Sequence, residues 1–449
     1  MSSIESSVTG TLEGDAAIVR TSAERATWRA AVAAGVGTTV EYYDFQLFGI
    51  MSIFLGSAFF AADRKDSALF ATLAVFGGAF LARPLGGFIF GLIGDTKGRR
   101  RALLITVLGM GLASATTGLL PSARSIGIAA PLSLVFLRLA QGFFAGGEVT
   151  GAATYIAESA PRGQRGFFGA FNPAAAIFGL TLATGISALT ESFIGSAAMS
   201  EWGWRVPFLL SIPLILACFA ARRTLRETPG FAHDQLHVHR KKQPIAEVLN
   251  SFKRPLLLLI ALGFAQNVAA YMSLLYLSIQ LTHWMGYSSV SISWLFAITS
   301  FLSGLAMPMV GRLSDTLGRK PVIGAGFLGY AVLSPLTLYV AGFGHMSWTA
   351  IAVLAASVPL VLVQATAYPL YAELFPTHVR YTGMSLGFNI ATIMGGGTAP
   401  YLGAWLVDRT GSNLAPGFYV SAVTLVAFAV SRLLRETADD DIESPNISP

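Results

Sequence analysis

Along this chain, stretches of about 20 mainly apolar residues recur twelve times, separated by short polar segments. They fall near residues 30–58, 68–94, 102–121, 131–157, 166–190, 204–221, 255–282, 290–311, 321–342, 348–372, 381–407 and 414–433. Each is long enough to cross a hydrocarbon layer of roughly 30 Å as a helix, and a helix satisfies its own backbone where no water can. The pattern predicts an all-α membrane protein with twelve transmembrane helices. Composition strengthens it: 53% of the 449 residues are hydrophobic and 12% charged, more apolar surface than one soluble core can bury. The 47 glycines and 20 prolines, costly in soluble helices, are tolerated in lipid.

Charge fixes the expected orientation. With the N-terminus placed in the cytoplasm, Arg64, Lys65, Arg124, Arg205 and Arg409 fall outside, and Arg83 and Arg138 fall within spans. Every other lysine and arginine is cytoplasmic, as the positive-inside rule requires. The formal charge of +6 is therefore read as a topology signal, with a lipid bilayer and not nucleic acid as the partner. Both termini are expected in the cytoplasm of a multi-pass protein of the plasma or inner membrane. Residues 1–27 carry Glu5, Glu13, Asp15 and Glu24 and no short apolar stretch before a cleavage site, so the first span is expected to be retained. The single cysteine, Cys218, excludes intrachain disulfides and thiolate metal clusters.

The longest internal polar stretch divides the chain six plus six. The expected organisation is a cytoplasmic tail over 1–27, a six-helix bundle over 28–222, a cytoplasmic linker over 223–254, a second bundle over 255–435, and a disordered cytoplasmic tail over 436–449. The linker's His233, His237, His239 and basic residues read as a solvated segment near anionic lipid rather than a metal site. The halves echo each other. Gly91-x-x-x-Asp95-x-x-Gly98-Arg99-Arg100 recurs as Gly311-x-x-x-Asp315-x-x-Gly318-Arg319-Lys320. Glu158, Pro161 and Arg165-Gly166 recur as Glu373, Pro376 and Arg380, and Arg226-Glu227-Thr228 recurs as Arg435-Glu436-Thr437. Duplicated halves mark transporters that rock around a midplane site.

The duplicated Gly-x-x-x-Asp-x-x-Gly-Arg loop resembles the signature of the major facilitator superfamily. Val40-Glu41-Tyr42-Tyr43-Asp44-Phe45, the run from Arg138 through Gln141-Gly142 to Gly146-Gly147-Glu148, and Arg226-Glu227-Thr228-Pro229 narrow the resemblance to its metabolite:H+ symporters. That group includes permeases for α-ketoglutarate, citrate, shikimate, and proline or betaine. The resemblance implies two pseudo-symmetric six-helix bundles; each half is incomplete without the other, so activity as a monomer is expected, with no cofactor beyond a proton gradient. It also implies an inner gate latch at Asp95, Arg99, Arg100, Asp315 and Arg319, with Glu158 against Arg162 or Arg165 and Glu373 against Arg380 as further strands. Thr96 and Thr316 stand where the superfamily often has a base, and the short acidic stretch after Arg435 is not expected to form the long C-terminal coiled coil of some osmosensing members.

Charges at the bilayer centre are costly, by roughly 2.5–3.5 kcal/mol on lenient scales, so those retained usually face a cavity. Glu41, Asp44, Arg83, Arg138 and Glu148 lie well inside the predicted spans, all in the N-terminal half. Glu41 and Asp44 share one helix face, as do Arg138, Gln141, Ala145 and Glu148. Three carboxylates against two arginines leave one negative charge unmatched, a group able to bind and release a proton. Asp44 or Glu148 is the expected coupling site, with Glu41 on the same face and Arg138 as partner. Arg83 and Gln141 are left for substrate. The alternative is a static ion network that only positions helices. The C-terminal half offers neutral groups: Gln266, Asn267, Tyr271, Tyr276, Gln280, Gln364, Tyr368 and Asn389, of which Gln266 and Tyr368 are the substrate-binding candidates.

No Gly-x-x-x-x-Gly-Lys-Ser/Thr loop occurs, which disfavours an ATP-driven pump. No histidine converges with carboxylates inside a span, which argues against a membrane enzyme. The leading expectation is proton-coupled import of a small organic acid. A proline or betaine importer is the alternative, ahead of an efflux antiporter or a sensor without transport.

Overall fold

A computed structural model describes residues 28, 35–60, 65–97, 99–146, 153, 154, 156, 157, 160–223 and 244–438. Among them no strand occurs, and each predicted span is met by helix. We number the spans in chain order. Helix α1 runs over 35–50 and, after a turn at Met51, over Ser52–Phe59. Helices α2 (Lys65–Lys97), α3 (Arg99–Leu119) and α4 (Ala129–Ala145) follow. Helix α5 joins Arg165–Gly169 to Phe171–Ala198, and α6 joins Arg205–Leu209 to Ser211–Arg223. In the second half α7 runs through Lys253–Tyr271, a wider π turn at Met272–Tyr276, and Leu277–His283. Helices α8 (Ser289–Leu317), α9 (Arg319–Ala341) and α10 (Met346–Glu373) are each continuous. Helix α11 breaks between Thr377–Gly395 and Ala399–Thr410, and α12 is Ala415–Ser431.

Six of these stretches are by themselves long and apolar enough to cross a membrane among the described residues, and α3, α4, α6 and α12 contain shorter apolar helices. Large side chains such as Leu81, Phe88, Leu112, Phe136, Phe193 and Met309 stay exposed, a lipid-facing surface no soluble protein would carry. Inward, small residues set the spacing. A side chain at Gly142 or Gly146 of α4 would run into the backbone of α2 at Ala79 and Arg83, so these two helices touch along their main chains.

The halves meet along α5 against α8 and α2 against α11. Helix α5 outruns its predicted end at 190, because Gly195 takes up a kink at φ 81° and the helix resumes beyond it. The extension buries Glu191, a sixth intramembrane charge that the predicted boundary left outside. The chain past Arg435 differs from the expected disordered tail. The Glu436 carboxylate accepts from the backbone N–H groups of Arg319 and Lys320 at 2.7 and 3.1 Å, capping α9, and Thr437 Oγ1 donates to Glu373 Oε2 at 2.6 Å. Residues 224–243 of the expected linker, and 1–27 and 439–449, lie outside the described residues.

Candidate functional site

A small central cavity lies between the halves. Four helices supply its wall, each as one stripe at helical spacing: Tyr42 and Gln46 from α1, Pro173, Ala176 and Ile177 from α5, Gln266, Asn267, Ala270, Tyr271 and Leu274 from α7, and Gln364 and Tyr368 from α10. The π turn of α7 begins one residue past Tyr271, widening the helix where it meets the cavity. On the C-terminal side the polar groups are wired together. Tyr371 Oη donates to Gln266 Oε1 at 2.8 Å, and Gln266 Nε2 donates to Gln364 Oε1 at 2.7 Å. Asn267 Nδ2 donates to the Gly263 carbonyl at 2.8 Å. Gln46 is different: its Oε1 is buried with no hydrogen-bond partner.

The intramembrane charges stand behind this wall. Arg83 Nη2 lies 3.9 Å from Glu41 Oε1, and its guanidinium sits over the rings of Phe45 and Phe80 at 4.3 and 5.0 Å. Arg138 donates from Nη1 to Gln141 Oε1 at 2.9 Å and from Nη2 to the Phe45 carbonyl at 3.0 Å, and is stacked over Phe45 and Phe48. Asp44 accepts from Ser114 Oγ at 3.0 Å, while its Oδ2 is buried without a hydrogen-bond partner. The expected Asp44–Arg138 partnership is therefore not a direct ion pair; Arg138 is held by Gln141 and a backbone carbonyl instead. Cation–π contact with Phe45, Phe48, Phe76 and Phe80 keeps both guanidiniums in an apolar region. Phe76 and Phe80 also pack edge-on against Tyr271, which joins this charged layer to the cavity.

Gln266 and Tyr368 are therefore at the cavity, and Arg83 and Gln141 are not part of its lining. Arg83 is nevertheless close enough to Tyr42, Tyr271 and Tyr368 to interact electrostatically with all three. Tyr42 and Gln46 were missed as site residues, since a neutral side chain beside Glu41 and Asp44 gives no signal of its own. Gln280 and Asn389 serve local structure: Gln280 donates to the Asn413 carbonyl, and Asn389 donates to the Ser385 carbonyl of its own helix. Glu148, Glu158 and the side chains of Asp95, Arg99 and Arg100 lie outside the described residues.

Contacts join the halves at both ends of the molecule. At the lysine- and arginine-rich end, Asp315 of α8 accepts from the N–H groups of Gly166 and Phe167 at 2.7 and 2.9 Å, capping α5 across the interface. Asp315 is itself 2.9 Å from Arg319 Nη2. Glu373 pairs with Arg319, at 3.0 Å, rather than with Arg380, whose Nε donates to the Ala372 and Phe375 carbonyls. The expected Glu373–Arg380 strand is thus replaced by Glu373–Arg319, because Arg319 at the start of α9 reaches both carboxylates. Arg165 lies within electrostatic reach of Glu373, so the first half does contribute an arginine here. At the opposite end Asp66 Oδ1 lies 2.9 Å from His283 Nε2, Ser289 donates to Glu191, and Trp294 Nε1 donates to Ser192 Oγ at 3.4 Å.

Two helical bundles around a central cavity, joined at each end by contacts between them, are the architecture of a membrane transporter. Residues 30–243 match the family model "Sugar (and other) transporter", and residues 268–448 match "Major Facilitator Superfamily". The chain is 33% identical over 425 residues to the proline/betaine transporter of Escherichia coli K12, covering 92% of this chain and 84% of that protein. It is 32% identical to the ectoine/proline transporter of Corynebacterium glutamicum, with 90% and 83% covered. The xylose transporter XylE from E. coli, in a partially occluded inward-open conformation, superposes with a TM-score of 0.72 at 18% identity, covering 92% of this chain and 98% of that one. The chain belongs to the major facilitator superfamily and is a transporter, not an enzyme.

Proposed function

We propose that the protein imports a small zwitterionic solute of the proline or betaine type, driven by a proton gradient. The observation that carries this reading is the wall of the cavity: tyrosines, amides and apolar side chains, with no Asp, Glu, Lys or Arg among the described residues that line it. A di- or tricarboxylate needs two or more cationic partners. Here Arg138 is occupied by Gln141 and the Phe45 carbonyl, and Arg83 is shared with Glu41. A net-neutral zwitterion suits this uncharged wall better, its ammonium against Tyr42, Tyr271 and Tyr368. The relatives named for proline, betaine and ectoine support the same class. This replaces the organic acid favoured by the sequence alone with its alternative.

In the mechanism the halves rock about the cavity. The closures at the two ends are broken in turn, the lysine- and arginine-rich end facing the cytoplasm by the positive-inside rule. Asp44, on the side of α1 turned from the cavity stripe toward Ser114, takes the coupling proton on Oδ2, and a single chain contains the complete path. The test is uptake of labelled proline, betaine, ectoine, citrate and α-ketoglutarate into proteoliposomes, with and without an inward proton gradient. Accumulation of the zwitterions that requires the gradient is expected. Accumulation of a di- or tricarboxylate and none of the zwitterions would return the organic-acid reading.

A further inference from the structure

We infer that Gln46 selects zwitterions whose ammonium carries an N–H over fully methylated ones. The inference rests on the zwitterion reading of the cavity and adds which residue sets preference within the class.

Of the four amides lining the cavity, Gln266, Gln364 and Asn267 are engaged by protein partners. Gln46 is 6% exposed, lines the same cavity, and keeps its Oε1 without a hydrogen-bond partner. A buried acceptor left unpaired is unfavourable unless something that enters the cavity supplies a donor. It stands one helical turn beyond Tyr42, so an ammonium lying against the tyrosine ring is within reach of the amide oxygen. Within the proposed class the chemistry divides at this point. The ammonium of proline carries two N–H donors, and the trimethylammonium of glycine betaine carries none. A tyrosine face attracts both cations alike. A carbonyl oxygen bonds the first and leaves the second with an unmade bond, the kind of difference by which a polar site discriminates strongly.

The experiment is competition between labelled proline and glycine betaine for uptake into proteoliposomes holding the parent protein, Gln46→Leu or Gln46→Glu. The leucine side chain fills similar space without an acceptor, and the glutamate keeps one. For Gln46→Leu the ratio of kcat/KM for proline to that for betaine is expected to fall by roughly tenfold or more. Gln46→Glu is expected to hold the ratio at the parental value or above. Equal losses for both solutes in Gln46→Leu overturn the inference, since they mean that the amide serves the shared carboxylate or only the packing. If the leucine variant does not reach the membrane, a fall of the ratio in Gln46→Glu overturns it equally. A parent that takes up neither compound sinks the zwitterion reading itself. A parent that takes up both, with a ratio unmoved by either variant, sinks only the role of Gln46.

Discussion

Asp44 is 1% exposed in the middle of an apolar helix, with Ser114 on one carboxylate oxygen and nothing on the other. Its neighbour across the layer, Arg138, is committed elsewhere, so the free oxygen is a place where a proton can sit. Asp44→Asn keeps the shape and the acceptor for Ser114 but cannot exchange a proton. Gradient-driven accumulation is expected to drop to the level of empty vesicles, while exchange of labelled for unlabelled solute across the same vesicles continues. Loss of both would mean a residue needed only for assembly. At this scale the sequence spoke through charge: Glu41, Asp44, Arg83 and Arg138 stood out because an ion in an apolar run needs a reason. The residues that touch the cavity were harder to read. Gln46 and Tyr42 are neutral, and any single amide or tyrosine in a span is as well explained by a bond between helices.

Between elements of the two halves, backbones approach closely where α5 begins and α8 ends. A side chain at Gly166 would enter the space of the Gly311 carbonyl, and the same join carries the Asp315 cap on the N–H groups of Gly166 and Phe167. Gly166→Val therefore acts on the closed state of this end alone. Overpacking at about 1–3 kcal/mol depopulates that state by roughly 5- to 150-fold, and maximal uptake velocity falls with it. Gly185→Val on the same helix, where a side chain meets nothing, is the matched control and should transport normally. Uptake by Gly166→Val equal to that of the control would mean that this contact does not limit the cycle. The duplicated loop pointed to this junction before any coordinates, because the same aspartate recurred at the same place in each half. Its partners did not follow from the pattern. Arginines are conspicuous in a sequence and backbone N–H groups are not, so the pattern points to Asp315 as part of an arginine-bearing latch, and only the fold places it as a cap across the interface. Glu436 escaped for a related reason: a short acidic tail reads as disordered until the helix start it caps is beside it.

For the whole molecule, the proposed mechanism requires the contacts at its two ends to be broken in turn around one cavity. At the end away from the basic loops, Asp66 and His283 tie the start of α2 to the last turn of α7, one residue from each half. On the proposed rocking of the two halves, fixing this one pair should arrest the cycle without touching the cavity. The chain offers a clean way to do it, since its single cysteine, Cys218, is buried in α6 at 1% exposure and will not compete for a reagent. With Asp66→Cys and His283→Cys combined, a short reducible cross-linker is expected to abolish uptake, and reduction to restore it. Each single variant treated alike should keep transporting. Binding of solute to the cross-linked protein, measured from the other face, should persist, because the Gln46 and Tyr368 walls are left intact. Undiminished uptake in the cross-linked protein would show that this end does not open during transport, and the rocking of two rigid halves would have to give way to a path through one of them.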